Sequence, residues 1–440
     1  MDNTPDVTVA PHAPPGPPDA GVTADPEWLA CLQETCELLW PHPAEVTLDV
    51  TGYGWLGRHR PPPPVQPADH EFVLVPGVQR PPLLVPTGRR VAAAAVRHHS
   101  ATRSPAARLF VRALAAGLAS GLGSTLLRGR VWVNTPAEGE TIERYLSSVM
   151  SHDVRVSIEL GRARANRKPV LQMLTSEGEA VGFAKIGVNP LTSSLVRAEH
   201  ESLDRLSHAG LTEIEIPRVL HYDRWRGLDV LVLSALPVWR PRRPLPAARL
   251  AAAMNELARV DGLRTEPLAG GTYLRQLRSR LAAADESPER AALGQVLDAL
   301  AEQAGQVALD FGSWHGDWAP WNMANTGHGL LVWDWERFTS GVPLGFDALH
   351  YWLQCEVGMS RRDPRAAATV CLDLAPRLLE SFGIPAQQAR LTGLLYLADL
   401  ATRYLVDRQA QAGARLGAPG TWLIPAIASR MDRVTADDVN

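Results

Sequence analysis

The sequence predicts an α+β protein with two lobes, a small β-rich lobe followed by a larger helical lobe, preceded by an accessory α/β segment. Within residues 141–240, a short helical pattern is followed by three strand patterns, a second helical pattern and two more strand patterns. From Pro246 onward the pattern is mostly helical, with an interruption near residues 314–343. Residues 1–27 are rich in Pro, Asp and Ala and poor in apolar residues, which is typical of a disordered tail.

Composition limits what the chain can do. Its 440 residues, 45% of them hydrophobic, are enough for two or three domains. The 44 Lys and Arg residues nearly balance 47 Asp and Glu residues, which argues against nucleic acid or an anionic membrane as the main partner. Four scattered cysteines fit neither a disulfide framework nor a zinc site, so we expect a cytoplasmic protein. Neither a signal peptide nor a membrane-spanning segment is predicted.

Residues 28–133 form the predicted accessory domain, and we find no chemistry in it. Its role is left open; recruitment of a protein partner is one possibility. A plausible linker, Asn134–Glu140, follows it. The predicted elements are a helix at Trp28–Trp40, strands at Glu45–Val50, Glu71–Val75, Leu83–Pro86 and Arg130–Val133, and helices at Arg89–His99 and Pro105–Leu118.

The small lobe (residues 141–240) is predicted from its strand patterns, of which Val154–Leu160 alternates with period two, and the larger lobe (residues 241–440) from helical patterns. The predicted elements of the small lobe are a helix at Thr141–Met150, strands at Val154–Leu160, Val170–Leu174 and Ala180–Val188, a helix at Ser193–His208, and strands at Ile216–Asp223 and Asp229–Leu236.

The strongest chemical signal is a group of polar residues within 20 positions: His315, Asp317, Asn322 and Asp334. An Asn and an Asp supply oxygen ligands that suit Mg²⁺, and a second Asp can accept a proton from a hydroxyl group. These are the parts that phosphoryl transfer needs. The alternative is a polar turn in which Asp and Asn are only cap and turn residues.

These residues lie in two motifs, HGDWAPWN (residues 315–322) and VWDWE (residues 332–336). In this the sequence resembles the aminoglycoside phosphotransferase and choline kinase-like family, over about residues 141–440. The resemblance implies a bilobal protein-kinase-like fold and an enzyme that uses ATP and Mg²⁺ to phosphorylate an alcohol group. A protein substrate is disfavoured, because the 12 residues between Asp334 and Asp347 leave no room for an activation loop.

By this resemblance, Asp317 matches the catalytic base, and His315 matches a histidine that shapes the loop. Asn322 and Asp334 match the metal ligands. Asp347 resembles a structural aspartate that anchors the catalytic loop or a helix start.

Such a kinase also needs a lysine on the third strand and a glutamate that holds it. The chain has only two lysines, Lys168 and Lys185, and Lys185 lies in the third predicted strand. On the next helix Glu199 falls on the apolar face, whereas Glu201 points about 200° away by the helical period. We therefore predict the pair Lys185 and Glu199, with a surface carboxylate as the alternative.

The loop between the first two strands of the small lobe, residues 161–169, should cover the phosphates. Its candidate nucleotide-binding residues are Gly161, Asn166 and Lys168, although it contains a single glycine and lacks the glycine-rich pattern of protein kinases. A solvated basic loop is an equally weighted alternative.

Five tryptophans, at positions 314, 318, 321, 333 and 335, surround the two motifs. They could stack on a sugar or hold a cation, or they could pack the catalytic loop against the helical lobe. From Ser340 to the end, 10 acidic residues balance 10 arginines, which disfavours a polycationic aminoglycoside as acceptor. We thus expect a kinase for a sugar, an amino alcohol or a related metabolite; the alternative is a catalytically silent kinase-like nucleotide-binding or regulatory protein.

Overall fold

The computed structural model describes residues 26–49, 68–75, 83–99, 105–121, 127, 129–161, 164–326, 329–414 and 416–435. The predicted tail lies outside these residues except for Pro26 and Glu27, which begin the first helix. Val50, at the end of a predicted strand, also lies outside them.

The accessory segment contains three helices and four strands within the described residues. The predicted bounds differ from the observed ones by no more than two residues. The elements are α1 (Pro26–Leu39), β1 (Glu45–Asp49), β2 (His70–Val75), β3 (Leu83–Pro86), α2 (Arg89–His99), α3 (Pro105–Ser120) and β4 (Arg130–Asn134).

The small lobe follows the predicted order of elements and adds one short strand. Its main helix begins at Pro190, three residues before the predicted start, because Asn189 and Thr192 cap it reciprocally. The elements are α4 (Ile142–Met150), β5 (Arg155–Leu160), β6 (Pro169–Leu174), β7 (Ala180–Gly187), α5 (Pro190–Ser207), β8 (Ile214–Glu215), β9 (Val219–Trp225) and β10 (Leu228–Ser234).

The accessory strands and the small-lobe strands form one antiparallel sheet of nine strands, in the order β1-β4-β2-β3-β5-β6-β7-β10-β9. The two parts join where Leu83 and Leu84 of β3 pair with Glu159 and Ile158 of β5. One apolar core contains Trp40 of the accessory segment together with Ile158 and Val230 of the small lobe, so it includes residues from both sides of the predicted linker. The accessory segment thus extends the sheet of the small lobe, and its independence as a domain stays a prediction.

The larger lobe is mainly helical, as predicted, but it contains more strand than the sequence indicated. The mostly helical pattern from Pro246 onward indicated no strand at Arg264–Pro267 or Ala308–Trp314, and these two strands pair with each other. The elements are α6 (Ala247–Ala258), β11 (Arg264–Pro267), α7 (Thr272–Ala282), α8 (Pro288–Ala304), β12 (Ala308–Trp314), β13 (Met323–Asn325), β14 (Leu330–Val332), β15 (Thr339–Pro343), α9 (Phe346–Gln354), a π-helical turn (Cys355–Met359), α10 (Pro364–Leu378), α11 (Ala386–Val406) and α12 (Leu423–Thr435).

The two lobes confirm the predicted α+β class, with a β-rich lobe before a helical one and an α/β segment in front. The helical lobe packs around α11, of which 13 residues are buried. Among the described helices, none has the length and apolar content needed to cross a bilayer. The catalytic-loop motif follows β12, at the face of the helical lobe that meets the small lobe.

Candidate active site

The loop after β12 is held by backbone hydrogen bonds to one buried carboxylate. Asp347, in the first turn of α9, accepts from the backbone N–H groups of His315 (2.8 Å) and Gly316 (3.3 Å). Gly316 has φ +83°, and a Cβ there would collide with the carbonyl oxygen of Arg337. Burial raises the pKa of Asp347 to about 7, although the two N–H donors oppose the shift.

His315 is fully buried and joins the catalytic loop to the segment before Asp334. Its Nδ1 accepts the backbone N–H of Asp317 (3.2 Å), and its Nε2–H donates to the carbonyl oxygen of Trp333 (3.1 Å). Burial lowers the pKa of His315 to about 4, so the ring is neutral at physiological pH. In this geometry His315 shapes the loop.

Asp317 presents a carboxylate whose two oxygens each have a partner. Nε2 of His350 lies 3.0 Å from Oδ1, and Nδ2 of Asn322 donates to Oδ2 at 3.0 Å. About 34% of the Asp317 side chain is exposed. Burial favours the neutral acid, but the contact with His350 outweighs it and lowers the pKa of Asp317.

Asn322 and Asp334, the predicted metal ligands, are connected through the backbone. The N–H of Trp333 donates to the carbonyl oxygen of Asn322 (3.1 Å), which places the two side chains on adjacent segments. Asp334 has φ +73°, an unusual conformation outside glycine. Because the amide nitrogen of Asn322 faces Asp317, its amide oxygen is turned away from that carboxylate.

Lys185 on β7 joins the two lobes. Its Nζ lies 2.7 Å and 2.6 Å from the two carboxylate oxygens of Glu199, and 2.7 Å from Oδ1 of Asp334. Burial opposes the charge of Lys185, but the two carboxylates outweigh it and raise its pKa. The same lysine lowers the pKa of Asp334 despite burial. Glu201, the alternative to Glu199 on the same helix, is exposed.

Lys168, the second lysine of the chain, lies in the same cluster of charges. Its ammonium group forms a buried ion pair with Glu336, and Nδ2 of Asn166 lies 3.4 Å from the other oxygen of Glu336. The carboxylates of Glu199, Asp334 and Glu336 lie within 4.8 Å of one another. The solvated-loop alternative does not fit Lys168, which is buried.

Gly161, the third candidate in that loop, lies directly after β5. A Cβ at Gly161 would lie 3.7 Å from Cγ of Arg167, an ordinary contact that other residues could make. The nucleotide-binding role of Gly161 stays a prediction; residues 162 and 163 lie outside the described part of the chain.

Sequence reasoning missed three residues of the site. Glu336 closes the quoted VWDWE motif, so a signal for it was present. His350 lies in a mostly apolar helix, without a spacing that relates it to Asp317. Arg403 on α11 donates to the carbonyl oxygen of Gly316 (2.6 Å), and no local pattern predicts that contact.

The tryptophans around the motifs divide into two groups. Trp314, Trp318 and Trp335 are buried in the core of the helical lobe, which supports the packing interpretation for these three. Trp321 and Trp333 are partly exposed. Trp333 packs against a small apolar cluster of Leu236, Val238, Ala324 and Leu331, between the segment after β10 and the β13–β14 hairpin.

Comparison with known proteins gives a match to one family. The model of the phosphotransferase enzyme family matches residues 183–376, a segment that contains Lys185, Glu199, Asp317, Asn322 and Asp334. A search of curated proteins by sequence finds no match to the chain.

Solved structures that resemble this chain include three phosphotransferases. A thermostable mutant of aminoglycoside phosphotransferase APH(4)-Ia is 14% identical, over 68% of this chain and 99% of that one, with a TM-score of 0.42. Choline kinase LicA from Streptococcus pneumoniae is 13% identical over 67% and 98%, with a TM-score of 0.41. Spectinomycin phosphotransferase APH(9)-Ia, solved with ADP and spectinomycin, is 12% identical over 67% and 97%, with a TM-score of 0.38.

With TM-scores below 0.5, these likenesses carry no argument about what this chain binds. The family match does not depend on these structures. It extends from β7 into α10 and contains both motifs, HGDWAPWN and VWDWE. It confirms the resemblance indicated by the sequence, as a similarity of residues 183–376 to the phosphotransferase enzyme family.

Proposed function

We propose that this chain is a kinase that transfers the γ-phosphoryl group of ATP to a hydroxyl group of a sugar, an amino alcohol or a related metabolite. The observation that carries the proposal is the bridge made by Lys185 between Glu199 and Asp334. Phosphoryl transfer requires a cation that is positioned on the phosphates beside a metal-binding carboxylate, and this bridge supplies both.

The nucleotide phosphates would lie against the two lysines. Lys185, held by Glu199, would contact the α- and β-phosphates. Lys168, with Asn166 beside it and Gly161 at the start of the loop, would cover the phosphates from the loop after β5. A lysine ammonium group is a compact charge with rotatable donors, so it can exchange a carboxylate partner for a phosphate.

The side chains of Asn322 and Asp334 fit a Mg²⁺ ion. One amide oxygen and one carboxylate, on segments joined by a backbone hydrogen bond, are the type of donor that Mg²⁺ accepts while it keeps water and phosphate ligands. When bound there, Mg²⁺ neutralises charge on the β- and γ-phosphates. Asp334 is kept ionised by the nearby lysines, which lower its pKa, so it is ready to bind a cation.

Asp317 would act as the catalytic base. The acceptor oxygen forms a bond to the γ-phosphorus, the bond from that phosphorus to the bridging oxygen of ADP breaks, and the acceptor proton passes to the Asp317 carboxylate. The exposed third of the Asp317 side chain supports this role, because a hydroxyl group can approach it.

The proposed acceptor class rests on the charge balance of the chain after Ser340 and on the resemblance to the phosphotransferase family. The balance of 10 acidic residues and 10 arginines after Ser340 gives no acidic surplus for a polycation, which disfavours aminoglycosides.

We also propose a cytoplasmic location, since the cysteine content fits a reducing compartment. Recruitment of a protein partner by residues 28–133 stays a prediction.

The proposal is tested first by calorimetric titration of the full chain with ATP, with and without Mg²⁺. We expect saturable binding that Mg²⁺ strengthens, followed by ADP release when a panel of sugars, amino alcohols and aminoglycosides is added. Binding without turnover on any acceptor would favour the silent nucleotide-binding alternative. Absence of binding under both conditions would contradict the proposed function.

The variant Asp317→Asn separates binding from chemistry. We expect turnover to fall by about 10²–10⁴-fold, because the amide cannot accept the proton. The affinity for MgATP should stay within about threefold, since Asn keeps the size of the side chain. Glu302→Gln, an exposed position on α8, is the matched control. Turnover near that of the wild type in Asp317→Asn would contradict the assigned base.

A further inference from the structure

His350 lies behind Asp317 and connects it to the centre of the helical lobe. It is on α9, is fully buried, and stands edge-on to Trp314. Its Nε2 lies 3.0 Å from Oδ1 of Asp317, and its Nδ1 lies 3.0 Å from the hydroxyl oxygen of Tyr396 on α11. Nothing in the sequence motifs relates these three residues.

The partners of His350 determine which nitrogen carries the proton. Burial lowers the pKa of His350 and raises that of Tyr396 well above its usual value, so the ring is neutral and the tyrosine keeps its hydroxyl proton. A carboxylate can only accept, so the nitrogen that faces Asp317 must be protonated. Nε2–H therefore donates to Asp317, and the Tyr396 hydroxyl donates to Nδ1.

Two donors then fix the carboxylate of Asp317 from two directions. His350 donates to Oδ1, and Asn322 donates to Oδ2 at 3.0 Å. Three further charged groups face this loop: Arg403 on α11 donates to the carbonyl oxygen of Gly316, Asp347 accepts from the backbone of His315 and Gly316, and Asp334 acts on Asp317 through its charge. Rotation of the carboxylate would break both directional bonds, so the lone pairs that face neither donor keep one orientation.

We propose that His350, oriented by Tyr396, is a positioning residue that fixes Asp317 for proton transfer from the acceptor hydroxyl. This inference rests on the proposed function, in which Asp317 is the base. His350 keeps its Nε2 proton throughout, because the proton of the acceptor goes to Asp317. Its contribution is orientational, like that of outer-shell hydrogen bonds that hold metal-binding histidines.

The test compares His350→Leu, which removes the donor, with His350→Gln, whose side-chain amide can donate to Oδ1. With ATP and the acceptor found by the screen, or with water as acceptor, we expect His350→Leu to lower kcat by about 10–100-fold. The KM for ATP should stay within about threefold, and His350→Gln should recover most of the lost kcat. His152→Leu, at an exposed histidine, is the matched control.

A direct measurement keeps the inference testable if His350→Leu does not fold. In ¹⁵N-histidine-labelled full chain, with the signal assigned by His350→Gln, we expect His350 to be the neutral Nε2–H tautomer. An Nδ1–H tautomer, or equal kcat in His350→Leu and wild type, would overturn the positioning role. Loss of ATP binding in both His350 variants would indicate a merely structural role and would overturn it as well.

The outcomes also separate this inference from the proposed function. If Asp317→Asn keeps turnover, the assignment of the base fails, and the positioning role fails with it. If Asp317→Asn is inactive while His350→Leu matches the wild type, only the positioning role fails.

Discussion

The two sides of the candidate site are held by different interactions. On one side is the lysine cluster, in which buried ion pairs join Lys168, Lys185, Glu199, Asp334 and Glu336. On the other side is the catalytic-loop network, in which neutral donors hold a carboxylate and a backbone; its members are His315, Asp317, Asn322, His350 and Tyr396.

The difference follows from what each side must do. An ammonium group has no single preferred direction, so the lysine cluster can exchange its carboxylate partners for a polyanion such as ATP. Hydrogen bonds from an imidazole or an amide are directional, so the catalytic-loop network fixes orientation and does not need to exchange. In the proposed function, the side that binds the nucleotide would depend on exchangeable charge and the side that binds the acceptor on fixed geometry.

The largest effect should come from removing Lys185. Lys185→Met leaves the buried carboxylate of Glu199 without its cation and beside the partly exposed Asp334, so we expect a loss of about 3–5 kcal/mol in the free energy of unfolding. MgATP binding should weaken by at least about 100-fold, because the cation on the phosphates is lost. Urea denaturation and calorimetry measure the two effects.

Arg155→Met is the matched control for Lys185→Met. Arg155 forms a surface ion pair with Asp153 (3.1 Å), and such pairs contribute about 0–1 kcal/mol. If both variants lose the same free energy of unfolding, the ion pairs of the lysine cluster contribute no more than surface ion pairs do. The description of that side of the site as a set of buried ion pairs would then be wrong.

The catalytic-loop network should depend on pH through His315. The pKa of His315 in the folded state is about 4, below the value of 6.5 for an exposed histidine, so the unfolded chain binds more protons between these values. The stability contributed by the neutral ring is therefore complete above pH 6.5 and is lost as the pH falls towards 4. The whole difference is about 3 kcal/mol.

The measurement is the free energy of unfolding of wild type and His315→Gln between pH 4.5 and 8. Subtracting the two free energies of unfolding isolates the contribution of His315. Asp347, whose pKa is raised to about 7, titrates in both proteins, so its contribution cancels. We expect this difference to grow in favour of the wild type from pH 4.5 to 6.5 and then to stay constant. A difference that is constant over the whole range would show that His315 does not titrate as a buried, neutral ring.

The sequence predicted the lysine cluster better than the catalytic-loop network. Lysine is so rare in this chain that Lys185 could be selected by composition, and the helical period separated Glu199 from Glu201. Both are local properties. His350 contacts Asp317 across 33 residues and Tyr396 contacts His350 across 46, and both come from mostly apolar helices, so their positions depend on how the helices of the lobe pack.

The same limit applies to the fold. Short apolar runs predicted the strands of the accessory segment within two residues, because such runs are a local signal. The pairing of Leu83 with Glu159 joins residues 76 positions apart, and no local pattern indicates which edge β3 will meet. The strand at Ala308–Trp314 was not predicted; its partners are β11 and β15, and no local pattern indicates those pairings.

A smaller and more specific prediction concerns Glu336. If the lysine cluster exchanges partners, Glu336 competes with the phosphates for Lys168, because the two residues form a buried ion pair. Glu336→Gln should then bind ADP about 3–10-fold more tightly, measured by calorimetry in EDTA so that no divalent cation contributes. Glu302→Gln, at an exposed position, should leave the affinity unchanged.

A double-mutant cycle decides whether the gain passes through Lys168. Lys168→Met should weaken ADP binding, and Glu336→Gln should give no gain when it is combined with Lys168→Met, since the released ammonium group is then missing. Weaker binding in Glu336→Gln alone would reverse the interpretation. Glu336 would then hold the loop of Asn166 and Lys168 in its binding shape, and the lysine cluster would be as fixed as the catalytic-loop network.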